Sequence, residues 1–164
     1  MKVIVIIKQL FIYLNLTQTP QITENELSKI VFETGLKIHK KLGAGLFEHV
    51  YEEYMFYELT KSNIHVEKQK LLPIIYEDLR IENAFRLDMM IENKVILEIK
   101  AVDYINPTHK AQLLTYLKMS NCKLGMLLNF QSDVFKNGVT RIVNNLYNKN
   151  EAKSNPLRFK TLFL

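Results

Sequence analysis

Asp88, Glu98 and Lys100 stand in the middle of "RLDMMIENKVILEIKA", residues 86–101, a stretch otherwise apolar enough to fill a core. Strands that can bury both faces normally exclude such groups, because an unpaired buried charge is expensive. Side chains alternate along a strand, so Glu98 and Lys100 project together with Ile96, while Val95, Leu97, Ile99 and Ala101 form a pure core face. On the preceding strand Phe85, Leu87, Met89 and Ile91 share one face, and Arg86, Asp88 and Met90 the other. A two-residue loop, Glu92–Asn93, pairs Asp88 with Leu97 and mixes charge into the core on both sides. A three-residue loop, Glu92–Asn93–Lys94, pairs Asp88 with Glu98 and Leu87 with Ile99. That register leaves one face wholly apolar and gathers the acids on the other. A one-residue slip inverts every side chain, so the pattern selects it. Asn93 tolerates the left-handed backbone such a loop wants.

Two carboxylates directly opposite each other repel. A divalent cation between them removes the conflict, and hard oxygen ligands completed by waters are what Mg²⁺ requires. Lys100 is then placed to polarise a water or a phosphate oxygen. The competing reading is a solvated strand face on which Lys100 merely pairs with an acid. These three residues alone leave both open.

Other elements must position that hairpin. "TENELSKIVFETGLKIHKKLG" reads as a helix opened by a Thr23–Glu26 capping box and ended by Gly43. "AGLFEHVYEEYMFYELTKSN" begins a second helix that ends near Ser62–Asn63. From Val66, "VEKQKLLPIIY" alternates as a strand, with Pro73 demanding an edge or a bulge. "EDLR" is a turn, and "AFRLDMMI" and "KVILEIKA" are the hairpin strands. "NPTHKAQLLTYLKMSN" is a helix with Asn106 as N-cap and Pro107 at its first position. "CKLGMLLNF" is a buried strand, and "GVTRIV" a short one. The order α-α-β-β-β-α-β predicts an α/β (α+β) fold, a mixed central sheet flanked by helices.

The chain has 164 residues, 48% of them hydrophobic and 24% charged, as expected of one soluble domain with its own core. A lone cysteine, Cys122, excludes an internal disulfide, reads as a buried inert thiol and fits a reducing, cytoplasmic setting. No Cys/His cluster has structural-zinc spacing. The formal charge of +5 permits contact with a phosphate backbone without demonstrating it. "MKVIVIIKQLFIYLNL" imitates a signal peptide, but Lys8 interrupts it, and no small-residue cleavage site follows. It is too short and charged to span a bilayer. Residues 1–22 are expected to be an extra strand or an extension, 23–145 the domain, and 146–164 a tail.

"GLFEHVYEE" matches a Gly-x-x-Glu-x-x-Tyr signature in Gly45, Glu48 and Tyr51. With the hairpin, "HKAQLLTYL" and "KLGMLLNF" following in order, the chain resembles the GxxExxY proteins of the PD-(D/E)XK nuclease superfamily. The resemblance implies a nuclease-like core and a Mg²⁺- or Mn²⁺-dependent site. It makes Asp88 the metal-binding Asp of the second strand, Glu98 and Lys100 the Glu-x-Lys pair of the third, and the Ile99 carbonyl a further ligand. Glu48 resembles the helical acid that binds metal directly or through water. Gln112 and Tyr116 match the Gln-x-x-x-Tyr pattern of the RecB-like branch, with Gln112 beside the site. The "PD" dipeptide reads Leu87–Asp88 here, which leaves the acid in place.

The spacing of the residues agrees, since His109, Gln112 and Tyr116 fall on one helix face, as do Gly45, Glu48 and Tyr51. Tyr116 and Tyr51 read as core tyrosines with bonded hydroxyls. His109 reads as a phosphate or cap contact rather than a base, and His39 as a packed or capping histidine. Arg86 holds a carboxylate or a substrate phosphate. The reaction expected is metal-dependent phosphodiester hydrolysis of DNA or RNA, with no membrane partner. Two other classes compete with it: a module that binds nucleic acid or protein without cutting, and a purely structural subunit.

Overall fold

The protein is described here by a computed structural model covering residues 21–144. Most of the expected N-terminal extension and all of the expected tail lie outside the described residues. Two helices, α1 (Glu24–Leu42) and α2 (Glu48–Lys61), precede a three-strand meander of β1 (Val66–Tyr76), β2 (Leu79–Ile91) and β3 (Val95–Lys100). A helix, α3 (Pro107–Ser120), leads to β4 (Leu124–Asn129), and a short 3₁₀ turn, Phe135–Gly138, leads to β5 (Val139–Val143). The sheet order is β1-β2-β3-β4-β5, antiparallel except for the parallel β3–β4 pair that α3 bridges. This is the mixed, helix-flanked sheet that the sequence predicts. No helix of the described residues is long and apolar enough to cross a membrane.

Helix α1 opens on the Thr23–Glu26 capping box, with both reciprocal bonds made. It closes at Gly43, whose φ of 74° few side chains tolerate, and Gly45 at φ 97° continues the turn into α2. Helix α3 starts as expected, with Asn106 as N-cap and Pro107 in the first turn. Pro73 sits on the edge strand β1, where the β1–β2 register slips between Leu72 and Ile74. The turn expected over Glu77–Arg80 is tighter, because Tyr76 pairs with Leu79 and β2 runs on from there.

The β2–β3 loop takes the three-residue form, with Ile91 paired to Val95 and Met89 to Leu97. Asn93 is left-handed at φ 54°, as expected, and Glu92 joins it at φ 50°. The distribution of faces, however, differs from simple alternation. Met89, Ile91, Val95, Leu97 and Ile99 pack under α1 and α2. Leu87 joins Leu72, Met90, Ile96 and Leu127 in a second core under α3. The expectation that Phe85 and Leu87 share a face with Met89 and Ile91 is therefore corrected. Gln69, which faces Asp88 across the strand pair, has φ 55° and interrupts the pleat there. The side of the sheet that carries the acids is also not a solvated face. It is a second core with a polar breach.

Candidate functional site

That breach lies where β2 and β3 part. Their ladder runs from Ile91–Val95 to Met89–Leu97. Beyond it, carboxylates take the backbone bonds. The Ile99 N–H donates to Asp88 Oδ2 at 2.7 Å, and the Asp88 N–H donates to Glu98 Oε1 at 3.2 Å. Asp88 and Glu98 thus meet as the register predicts, each anchored by main chain. Glu98 is only 3% exposed, so its side chain is part of the interior.

Lys100 supplies the cation. Its Nζ donates to the Ile99 carbonyl at 2.9 Å and stands 3.4 Å from Glu98 Oε2, 3.8 Å from Asp88 Oδ2 and 3.7 Å from Glu48 Oε1. One ammonium therefore balances three acids from three elements. Burial pulls its pKa down, but the charges of Asp88, Glu98 and Glu48 outweigh it and hold Lys100 above the ordinary lysine value. Burial first, and then the charge of Asp88, push the Glu98 carboxyl up to about 7 against the pull of Lys100.

Around this cluster opens a cleft of about 630 Å³. Glu48, Phe47, His49 and Glu52 reach it from the first turns of α2; Gln69, Arg86 and Asp88 from β1 and β2; Glu98 and Lys100 from β3; Gln112 and Tyr116 from α3. Arg86 is exposed at the rim and, among the described residues, makes no ion pair. Gln112 donates its amide to the Tyr116 hydroxyl. Tyr116 is buried, and burial followed by the charge of Glu98 raises its pKa. The Tyr51 hydroxyl donates to the Gly43 carbonyl at 2.8 Å and accepts the Leu46 N–H at 3.2 Å.

Two candidates lie apart. His109 does not line the cleft, because its N–H and ring close the capping box with Asn106. That is the cap contact the sequence allowed. His39 Nε2 lies 2.8 Å from the Ser132 carbonyl and packs on Phe130 and Phe135. Cys122 is buried, and burial raises its pKa, as an inert thiol requires.

Sequence reasoning missed Glu52, Gln69, Phe47, His49 and Asn129. Glu52 sits one helical turn after Glu48, a spacing that could have revealed it. Burial, with some help from Asp88, raises its pKa against the bond from Gln69 at 2.6 Å. Asn129, 3% exposed, donates to the Val102 carbonyl at 2.7 Å and accepts the Val102 N–H at 3.1 Å. It fixes the chain just after Lys100, and its type alone gives no sign of this.

The chemistry of the donors suits a hard cation. Among the described residues no group of three or more His, Cys, Asp or Glu side chains is placed to hold one ion. Asp88, Glu98 and the Ile99 carbonyl make a smaller all-oxygen set, and Mg²⁺ is commonly bound by one or two carboxylates while keeping several waters. The ammonium of Lys100, drawn in among Asp88, Glu98 and Glu48, marks the negative potential at this point. The residues fit the ion.

No curated protein matches this sequence. A solved structure titled "Crystal structure of SSO0001" aligns over 84% of this chain and 87% of its own, at 17% identity and a TM-score of 0.35. The model of the PD-(D/E)XK nuclease superfamily matches residues 25–142, a span that runs from the first turn of α1 into β5 and includes every acid of the cleft. With its mixed sheet parted at an Asp and a Glu-x-Lys, the chain belongs to the PD-(D/E)XK nuclease superfamily.

Proposed function

We propose that this protein is a metal-dependent nuclease that hydrolyses phosphodiester bonds in nucleic acid, using Mg²⁺ or Mn²⁺. One observation carries the reading beyond superfamily membership. Three acids and a carbonyl converge on the Nζ of Lys100 at the foot of an open cleft. In this reading Asp88, Glu98 and the Ile99 carbonyl hold the ion, with Glu48 beside it. When bound, the ion supplies Lewis-acid stabilisation of phosphoryl charge and a more acidic water.

The chain's own groups do the rest. Lys100 holds its proton more firmly than an ordinary lysine. It is placed to orient the attacking water or a phosphate oxygen as a donor. Arg86 at the rim takes a non-bridging phosphate oxygen of the substrate. Gln112, tethered to Tyr116, lines the wall on which the nucleotide lies. With no covalent intermediate, catalysis is placement plus electrostatics. The buried, unpaired thiol supports a cytoplasmic setting.

The test is cleavage of labelled single- and double-stranded DNA and RNA in Mg²⁺, Mn²⁺ or chelator, with wild type and Glu98→Ala purified in parallel. Metal-dependent cutting that disappears in the variant supports the enzyme and names its substrate class. Absence of cutting, together with binding that survives the chelator, replaces it with a binding module.

A further inference from the structure

Phe47 breaks two local rules at once. It is the N-cap of α2, a position that favours Ser, Thr, Asp or Asn, and it gives the helix no side-chain cap. It is also 77% exposed, the most open of the large hydrophobics among the described residues. A single exposed Phe is ordinary on a protein surface. This one lines the cleft of carboxylates and cations, one residue before Glu48. Its ring stacks on that of His49, at 14° with centroids 6.0 Å apart, and remains largely open to solvent beside the acids. Departures from local preference are expected where function overrides them.

A flat, apolar, solvent-facing ring next to a phosphate-handling centre suits the face of a nucleobase. Stacking of bases on aromatic rings tolerates any sequence, because every base has a π-face. A base inside a duplex has both faces covered by its neighbours and cannot use such a ring. We propose that Phe47 is a base-stacking platform that makes this site prefer nucleic acid with an unpaired base beside the scissile phosphate. The proposal deepens the nuclease reading and rests on it for the meaning of the cleft. Phe47 is a positioning residue in it, since its ring sets where the strand lies and Lys100 and the acids handle the phosphate.

Binding separates the two ideas. Fluorescence anisotropy in Mg²⁺ on the Glu98→Gln protein would use a labelled single strand, its duplex and the same strand with abasic sites. The single strand is expected to bind most tightly. Adding Phe47→Ala should weaken it roughly 5- to 100-fold while leaving the duplex and the abasic strand within about twofold. The chain has no tryptophan, so Phe47→Trp introduces a sole reporter. It should retain affinity and be quenched by the single strand but not by the duplex. In a cutting enzyme the Phe47→Ala loss should appear in KM.

Equal weakening on all three probes, or none, overturns the platform. The same holds if no probe binds. If wild type cuts nothing yet the base-dependent losses appear, the nuclease reading falls and the platform stands. If wild type cuts with Mg²⁺ while Phe47→Ala behaves as wild type on single strands, only the platform falls.

Discussion

Asp88 and Glu98 stand in for the β-ladder at the point where β2 and β3 separate. The Asp88 carboxylate accepts the N–H of Ile99, and the Glu98 carboxylate accepts the N–H of Asp88. The acids that give the site its charge are thus also the groups that keep two strands together. Buried N–H groups must find a partner. Here the partner is a charge, so stability and electrostatics are linked through two side chains.

Glu98 makes that linkage visible in pH. Its folded pKa of about 7 lies above its ordinary 4.5, so the folded state binds the proton more tightly than the unfolded chain. Stability is therefore expected to fall as pH rises from about 4.5 to about 7, by up to about 3 kcal/mol. Glu98→Gln keeps an oxygen for the Asp88 N–H and removes the titration. Thermal melts of the two proteins between pH 4.5 and 8 should show the wild-type Tm declining across this window and the variant flat. Mg²⁺ should raise the wild-type Tm most above pH 7, where the ionised carboxylate is available. A parallel decline in both proteins would assign the effect to other groups.

Lys100→Met should steepen that decline. It leaves Glu98, Asp88 and Glu48 facing one another without a counter-ion, and breaking a buried pair costs several kcal/mol. A loss of about 3 kcal/mol is expected at pH 8 and less at pH 6, where Glu98 takes up a proton. Mg²⁺ should restore more stability to this variant than to wild type, because it replaces the missing charge. Denaturant melts at both pH values, with and without Mg²⁺, check this. Under the proposed mechanism nuclease activity should not return with stability, since the proposed donor to water or phosphate is gone.

The hairpin register was legible in the sequence because alternation punishes a one-residue slip on every side chain at once. Caps were legible for a similar reason, since Thr23, Glu26, Asn106 and Pro107 act through their nearest neighbours in the chain. The second core was not. Alternation carried Phe85 and Leu87 onto the face of Met89, and that pattern breaks opposite the left-handed Gln69 of the neighbouring strand. A glutamine carries no mark of such a backbone. Asp88, Glu98 and Lys100 stood out because charge inside an apolar run is costly. Glu52 lies on a helix surface that tolerates an acid anywhere and Phe47 caps that helix, and only the fold brings them to the cleft.

Packing under α3 gives a prediction that reaches the site from a distance. Gly125 of β4 faces Leu113, and a Cβ there would lie 2.8 Å from the Leu113 Cγ and Cδ1. Gly125→Ala must push α3 outward, at a cost of about 1–3 kcal/mol for overpacking. The same helix carries Gln112 and Tyr116 at the cleft. Activity is therefore expected to fall as well, measured well below the Tm of the variant. Adding Leu113→Ala, which makes room for the methyl group, should recover part of that activity. A pure stability defect would show no such recovery.

The turn before α2 explains why Gly45, Glu48 and Tyr51 belong together. Gly45 takes a φ of 97° that brings the chain round, and the Tyr51 hydroxyl clamps the turn by bonding Gly43 and Leu46. Its ring meanwhile stacks on Phe130, centroids 4.2 Å apart. Glu48 then emerges at the start of α2, 3.7 Å from Lys100. Tyr51→Phe keeps the ring packing and removes the clamp, leaving the Gly43 carbonyl and the Leu46 N–H without their partner. A loss of about 1–3 kcal/mol is expected. Glu48 would also lose its fixed approach to Lys100, so cleavage at a temperature where the variant is fully folded should drop, with more Mg²⁺ needed for half-maximal rate. Unchanged Mg²⁺ dependence beside a lowered Tm would make the clamp purely architectural, and would remove Glu48 from the proposed metal site.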